Sequence, residues 1–245
     1  MSAPDLMLLA LATPLIGAIF IVLFGKIPNL RETATLVTAV TLFAVVLNLA
    51  PIVAGGGRPD LTLIQVLPGL DLRFTLEPLG MMFACIASGL WIVNSIYSIG
   101  YMRAKKESHQ TRFYVCFALA IFGAMGVALS GNMFTLFICY EVLTITTYPL
   151  VTHSGTPEAM RSGRTYLGLL LGSSIGLQLA AIIGTWYLTG TLDFREGGVF
   201  AGHVQGPVIG LLLFLYMYGI GKAALMPIHR WLPAAMVAPT PVSAL

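Results

Sequence analysis

Long runs without charge dominate this sequence. Five are wholly uncharged, at Leu6–Gly25, Thr33–Ala54, Pro78–Gly100, Phe113–Leu129 and Tyr166–Leu188. Two more, Met133–Val151 and Pro207–Met226, carry one charge each: Glu141 at the middle of its run, and Lys222 toward the end of its own, where a lysine can also snorkel to the interface. A helix needs about 20 apolar residues to cross the hydrocarbon core of a bilayer. The runs therefore predict seven complete spans, and the apolar segment from Ala238, opening near Thr240, predicts the start of an eighth. Charged residues make up only 9% of the chain, against about 25% in a soluble domain. That excludes a soluble enzyme and a disordered tail. The formal charge of +3 is too small for a nucleic-acid partner. The predicted fold is an all-α polytopic transmembrane helix bundle embedded in lipid.

Basic residues between the spans set the topology. Arg58, Arg73 and Arg195 lie on the side of the N-terminus, while Lys26, Arg31, Arg103, Lys105, Lys106, Arg112, Arg161, Arg164 and Arg230 lie on the other. The positive-inside rule places the second set in the cytoplasm and the N-terminus outside. The longest connection, Gly55–Glu77, carries two strand-like pieces, Leu61–Val66 and Leu70–Thr75, around Pro68-Gly69, which predicts a small outside hairpin. The chain divides into residues 1–77, two spans with this outside loop, and residues 78–245, the remaining spans. A multi-pass membrane protein is expected.

Nearly all other charges fall in loops or at helix mouths, Glu32 among them, so Glu141 and Lys222 stand out. A charge at the bilayer centre costs on the order of 2.5–3.5 kcal/mol on insertion scales, and such residues tend to be paired or to line a polar path. On a helix, Thr144, Tyr148 and Thr152 share the face of Glu141 and lead toward the cytoplasmic end, while Ser174, Gln178 and Thr185 form a second stripe. Ordered water along these groups would carry protons; hydrogen bonding between packed helices is the alternative reading of the hydroxyls. Gly219 and Gly221 beside Lys222 permit close helix approach, and Pro227 removes a backbone hydrogen bond just past it, so the seventh helix is expected to break there. If the helix resumes, His229 continues the Lys222 face, with a pKa suited to a relay; packing with Trp231 is its other reading. His109, His153 and His203 read as solvent-facing loop residues. Cys85, Cys116 and Cys139 fall in apolar runs, an odd count in places that suit neither a disulfide framework nor a metal cluster. No glycine-rich phosphate loop or cysteine pair calls for a cofactor, and none is expected.

Beyond these features, Gly219-Ile220-Gly221-Lys222-Ala223-Ala224-Leu225-Met226-Pro227-Ile228-His229-Arg230-Trp231-Leu232-Pro233-Ala234-Ala235-Met236, followed by Ala238-Pro239-Thr240-Pro241-Val242-Ser243-Ala244-Leu245, resembles the signature of the antiporter-like membrane subunits. These are the proton-translocating subunits of respiratory complex I, of Mrp-type cation/proton antiporters and of membrane-bound hydrogenases. Asn132-Met133-Phe134-Thr135-Leu136-Phe137, running into Tyr140-Glu141, and Glu77-Pro78-Leu79-Gly80 are further matches. The resemblance implies that Glu141 pairs with Lys222 and that changing their separation alters the lysine's proton affinity. It also implies a broken seventh helix, which Pro227 matches. Family members are longer, with a second inverted set of helices carrying the rest of the ion path, so residues 78–245 would form an incomplete first repeat. Either the sequence is the front of a longer protein, or it is a split product that needs a partner.

The expected function is translocation of protons, or of sodium against protons, within a multisubunit complex whose other membrane subunits are its partners. Redox centres would lie in those partners, making this a non-redox part of a translocase. The Thr240–Leu245 ending leans toward a complex I-like NADH:quinone oxidoreductase; a D-like subunit of an Mrp-type cation/proton antiporter is the nearest alternative. A membrane scaffold that transports nothing is the rival from another class.

Overall fold

A computed structural model describes residues 2–67, 70–195, 197–204 and 206–244. The Pro68-Gly69 turn expected at the hairpin tip, the loop positions Glu196 and Gln205, and Met1 and Leu245 lie outside the described residues, as do the side chains of Leu67 and Ala244.

Among the described residues, six helices are long and apolar enough to cross a membrane. They are α1 (Ala3–Leu23), α2 (Pro28–Ala54), α3 (Pro78–Ala104), α4 (Gln110–Ala128), α5 (Met133–Val151) and a continuous rod, Pro157–Thr189. The rod consists of α6 (Pro157–Ser173), a π-helical turn (Ser174–Gln178) and α7 (Leu179–Thr189). Local chemistry sets many of the helix starts. Ser2 and Asp5 form a capping box, Asn132 and Thr156 accept the amides of Thr135 and Ala159, and prolines occupy the first turns of α2, α3, α6 and α8 (Pro207–Gly219). The rod starts nine residues before the predicted Tyr166. Its first turns are amphipathic: Ala159 and Gly163 are buried while Arg161 and Arg164 are exposed.

The seventh helix is broken, as expected, but the break comes earlier than the predicted end of the span at Met226. α8 has only 13 residues, about 20 Å at helical rise, and the chain then leaves α-helix at Ile220 instead of continuing to Met226. A 3-10 turn (Gly221–Ala223), Ala224 at φ 51°, a cis Met226–Pro227 bond, a second 3-10 turn (Ile228–Arg230) and α9 (Trp231–Ala235) follow. Packing accounts for the early break. A Cβ on Gly219 would sit 2.6 Å from the Gln178 Cβ, and one on Gly221 would press on Ser173 and Leu170, so the two glycines bring the chain against the π turn. The Lys222 amide then donates to the Tyr140 hydroxyl (3.0 Å), and the Trp231 indole donates to the Gly221 carbonyl (2.7 Å). These bonds satisfy backbone groups that a helix would have paired internally. Near Thr240, where an eighth span was expected to open, the chain forms a 3-10 turn over Thr240–Ala244.

Strands β1 (Asp60–Leu67) and β2 (Leu70–Thr75) pair antiparallel with two register irregularities. The hairpin is docked on the α4–α5 turn: the Thr75 amide donates to the Leu129 carbonyl (2.7 Å), Gly131 to Arg73 (2.9 Å), and the Asn132 side chain to Asp71 (2.8 Å). Arg73 bonds Asp60 at 2.7 Å, which holds its pKa above the ordinary arginine value, and reaches Asp193 at 3.7 Å. One apolar core joins α1 to α4, with Met7, Leu42, Trp91 and Phe113 among its buried side chains, so residues 1–77 and the following helices share it. Leu79, Val93 and Ile96 point outward, as a lipid-facing surface requires.

At the other end of the bundle, two sequence expectations change. Arg31 and Glu32 belong to the first turns of α2 and are each only 5% exposed. Glu32 sits between Arg31 (3.4 Å) and Arg103, Arg31 bonds Gln110 (2.7 Å), and the Arg31 guanidinium lies 5.2 Å from the Tyr114 ring centroid. His153 is 1% exposed instead of solvent-facing. It is covered because the α3–α4 loop and the first turn of α4 fold over the end of α5: Phe113 packs edge-on to its ring, Glu107 approaches to 4.0 Å, and Arg112 bonds its carbonyl.

Candidate functional site

Glu141 is the ninth of the nineteen residues of α5, at the middle of the span. Its Oε1 is buried without a hydrogen-bond partner. Ser174, on the π turn, is its neighbour, although the Ser174 hydroxyl donates to the Leu170 carbonyl at 2.9 Å. Mid-helix π turns free backbone groups from regular pairing and recur at functional sites. Here the turn faces the break of the seventh helix across Gly219.

Lys222 lies on the first 3-10 turn of that break. Its ammonium is 4.9 Å from the Tyr140 ring centroid, and its amide bonds the hydroxyl of the same tyrosine. Tyr140 is thus a two-point clamp on the lysine, adjacent in sequence to Glu141. Glu141 and Lys222 face the same region but do not form an ion pair within 4.0 Å.

The two predicted polar stripes meet different fates. Thr144 is fully buried and donates to the Tyr140 carbonyl (2.9 Å), and Thr152 donates to the Tyr148 carbonyl (3.1 Å), so both hydroxyls are bonded within their own helix. The Tyr148 ring lies over Gly163. On the rod, Gln178 is 3% exposed with an unpartnered Oε1 beside Gly219, and Thr185 bonds the Tyr216 hydroxyl of α8 (2.8 Å). His229 does not continue a Lys222 face, because Ala224 and Pro227 interrupt the helix between them; its Nδ1 is buried and unpartnered. Pro227 lies inside the break, seven residues after Ile220 begins it.

Three contributors escaped the sequence reading. Tyr140 was visible only as the residue before Glu141. Thr147 and Tyr166, which bond at 2.7 Å between α5 and α6, line a cavity with Lys222 and Trp231; a pair made across two helices leaves no spacing to read. Among the described residues no group of three His, Cys, Asp or Glu side chains is placed to hold a metal ion.

Residues 130–245 match the model of the family described as NADH:quinone oxidoreductase/Mrp antiporter, transmembrane. Over those residues the chain is similar to this family. A protein of Rhizobium meliloti (strain 1021), named as the probable A/B subunit of a K+/H+ antiporter, is 33% identical over 216 residues, 84% of this chain and 21% of its own length. A putative antiporter subunit mnhA2 of Staphylococcus aureus is 31% identical over 71% of this chain and 22% of its own length. The chain therefore spans about a fifth of these antiporter-like relatives. Two solved structures share the fold. A chain of an archaeal respiratory membrane complex, the membrane-bound sulfane sulfur reductase, superposes with a TM-score of 0.82 at 21% identity, covering 97% of this chain and 49% of that one. A chain of the Mrp complex from Dietzia sp. DQ12-45-1b gives 0.77 at 22% identity, covering 99% and 26%.

Proposed function

We propose that this multi-pass membrane protein is an ion-translocating subunit in which protons, or protons exchanged for a monovalent cation such as sodium, pass by Glu141 and Lys222. The observation that carries the reading is the meeting of three features: a mid-span carboxylate with one buried, unpartnered oxygen, a lysine held on a helix break, and a π turn that neighbours both. A half-buried carboxylate and a half-buried ammonium that face one region influence each other's protonation. The charge on Glu141 then decides how readily Lys222 gives up its proton, and motion of the broken segment changes their separation. Thr144, Tyr148, Ser174, Gln178 and His229 remain the proposed polar surroundings of this centre.

The relatives' names favour Mrp-type cation/proton antiport. A complex I-like role stands second, because the matching family spans both kinds of assembly and the Thr240–Leu245 motif leans that way. The partners are other membrane subunits, as in the multisubunit complexes of the two structural neighbours, and the site is a bacterial-type inner membrane.

The test uses the full-length protein in its native complex, in inverted membrane vesicles with a pH-sensitive dye. Glu141→Gln and Lys222→Met are each expected to slow cation-driven proton exchange by at least roughly tenfold, as loss of a proton-transfer group does, with the complex still assembled. Wild-type exchange in both assembled variants would favour the scaffold reading and sink this one. Exchange that needs sodium or potassium but no electron donor marks an antiporter; exchange that requires electron flow to a quinone marks the complex I-like alternative.

A further inference from the structure

Beside Lys222 is a cavity of about 240 Å³ between α5, α6, α9 and the Thr240–Ala244 turn. It follows the Leu143–Thr147–Val151 face of α5, which is not the Glu141–Thr144–Tyr148–Thr152 face singled out in the sequence. It extends from the level of Lys222 toward the end of α5 at Val151, the end that carries His153 and the basic loops. At about 30 Å³ per molecule, such a volume admits several waters, but each needs two to four polar partners to stay. Most of the wall cannot supply them. Leu143, Val151 and the α9 side chains facing them are apolar, and the Trp231 indole N–H is already given to the Gly221 carbonyl at 2.7 Å.

Besides Lys222, the polar side chains on the wall are Ser243, exposed on the Thr240–Ala244 turn, and the Thr147–Tyr166 hydroxyl pair, which lies on the α5 face that leads toward Val151. Its oxygens are 2.7 Å apart, and Thr147 also lies 2.8 Å from the Leu143 carbonyl and 3.0 Å from the Thr144 carbonyl. One threonine proton cannot serve three acceptors. When it goes to a carbonyl, the tyrosine donates to Thr147, and the tyrosine oxygen keeps its lone pairs for a water donor. When it goes to Tyr166, the phenol proton is free to be donated to a water. The pair can therefore present either an acceptor or a donor without leaving its place. The ring of Tyr166 is held by an edge contact with Trp231, 5.8 Å between centroids, and Trp231 is tied to the residue preceding Lys222. The pair is thus in register with the helix break.

We infer that the Thr147–Tyr166 pair anchors a water chain connecting Lys222 to the basic end of the bundle, so that protons reach the lysine along the Leu143–Thr147–Val151 face. The inference rests on the proposed transport role of Lys222 and adds its access route. Tyr166 acts here as a positioning residue: it orients the waters, and Lys222 exchanges the proton with them. Thr144 and Thr152 do not line this cavity and take no part in the route.

Tyr166→Phe keeps the ring against Trp231 and removes only the oxygen. In the full-length protein within its complex, it is expected to lower the maximal rate of cation-driven proton exchange by roughly tenfold, leave the KM for the cation unchanged, and alter the pH profile and the solvent deuterium isotope effect. Lys222→Met, measured alongside, is expected to be inactive. A wild-type rate and pH profile in Tyr166→Phe, with Lys222→Met inactive, overturns the inference alone; activity in Lys222→Met removes the reading beneath it. Should Tyr166→Phe fail to assemble, Thr147→Val and Thr147→Ser decide: Ser is expected to recover most of the rate that Val loses, and equal rates in the two overturn the inference.

Discussion

At Lys222 the backbone amide takes a side-chain hydroxyl, that of Tyr140 at 3.0 Å, in place of a carbonyl one turn back. This exchange of partners lets a helix stop inside a membrane protein without leaving a donor unpaired, which in a dry interior costs about 1–3 kcal/mol. Tyr140→Phe removes the acceptor while the ring stays beneath the ammonium. Thermal unfolding of the purified protein is expected to show a loss of about 1–3 kcal/mol; an unchanged midpoint would mean that another group takes the amide. The charges of Glu141 and Lys222 were legible because a charge in an apolar run is rare for an energetic reason. Tyr140 was not, because a tyrosine in an apolar run is ordinary and its partner lies 82 positions away.

Among the elements, helix ends departed from their sequence outlines more than helix middles. α2 begins at Pro28, ahead of Arg31 and Glu32, and the ends of α3 and α4 bury both charges. Composition marked these residues as interfacial, but their burial depends on Arg103 and Gln110 arriving from far along the chain. His153 follows the same logic with a pH consequence. Burial, with the nearby Arg112 cation, holds its pKa below the ordinary histidine value of 6.5, and Glu107 only partly opposes them. The folded state therefore favours the neutral ring. Below about pH 6.5 the unfolded chain takes up a proton that the folded one refuses, and stability falls until the folded pKa is passed. Unfolding temperature is expected to be level above roughly pH 7 and to decline on acidification below it, with a shallower decline in His153→Gln. Identical slopes in the two proteins would contradict the assignment.

For the whole molecule, the hairpin, the α4–α5 turn and the loop after α7 gather at one end, joined by the Arg73–Asp193 contact and the Asn132–Asp193 bridge. The basic loops gather at the other. The positive-inside rule then predicts a measurable orientation. In a cell-borne version freed of its native cysteines, Ile64→Cys on the exposed face of the hairpin is expected to react with an impermeant thiol reagent added outside. Lys106→Cys is expected to react only after the membrane is opened; the reverse pattern would invert the topology. By itself, the sequence determined the membrane environment, the six long helices, the hairpin strands and the two costly charges, because length, hydropathy and strand alternation act locally along the chain. The sequence also pointed to a break near Lys222, but tertiary structure decided that the helix stops as early as Gly219, that Lys222 is held by Tyr140, and that Thr147 meets Tyr166 beside it. Those outcomes depend on which backbone approaches a glycine and which hydroxyl reaches an orphaned amide, and such encounters exist only once distant helices have packed.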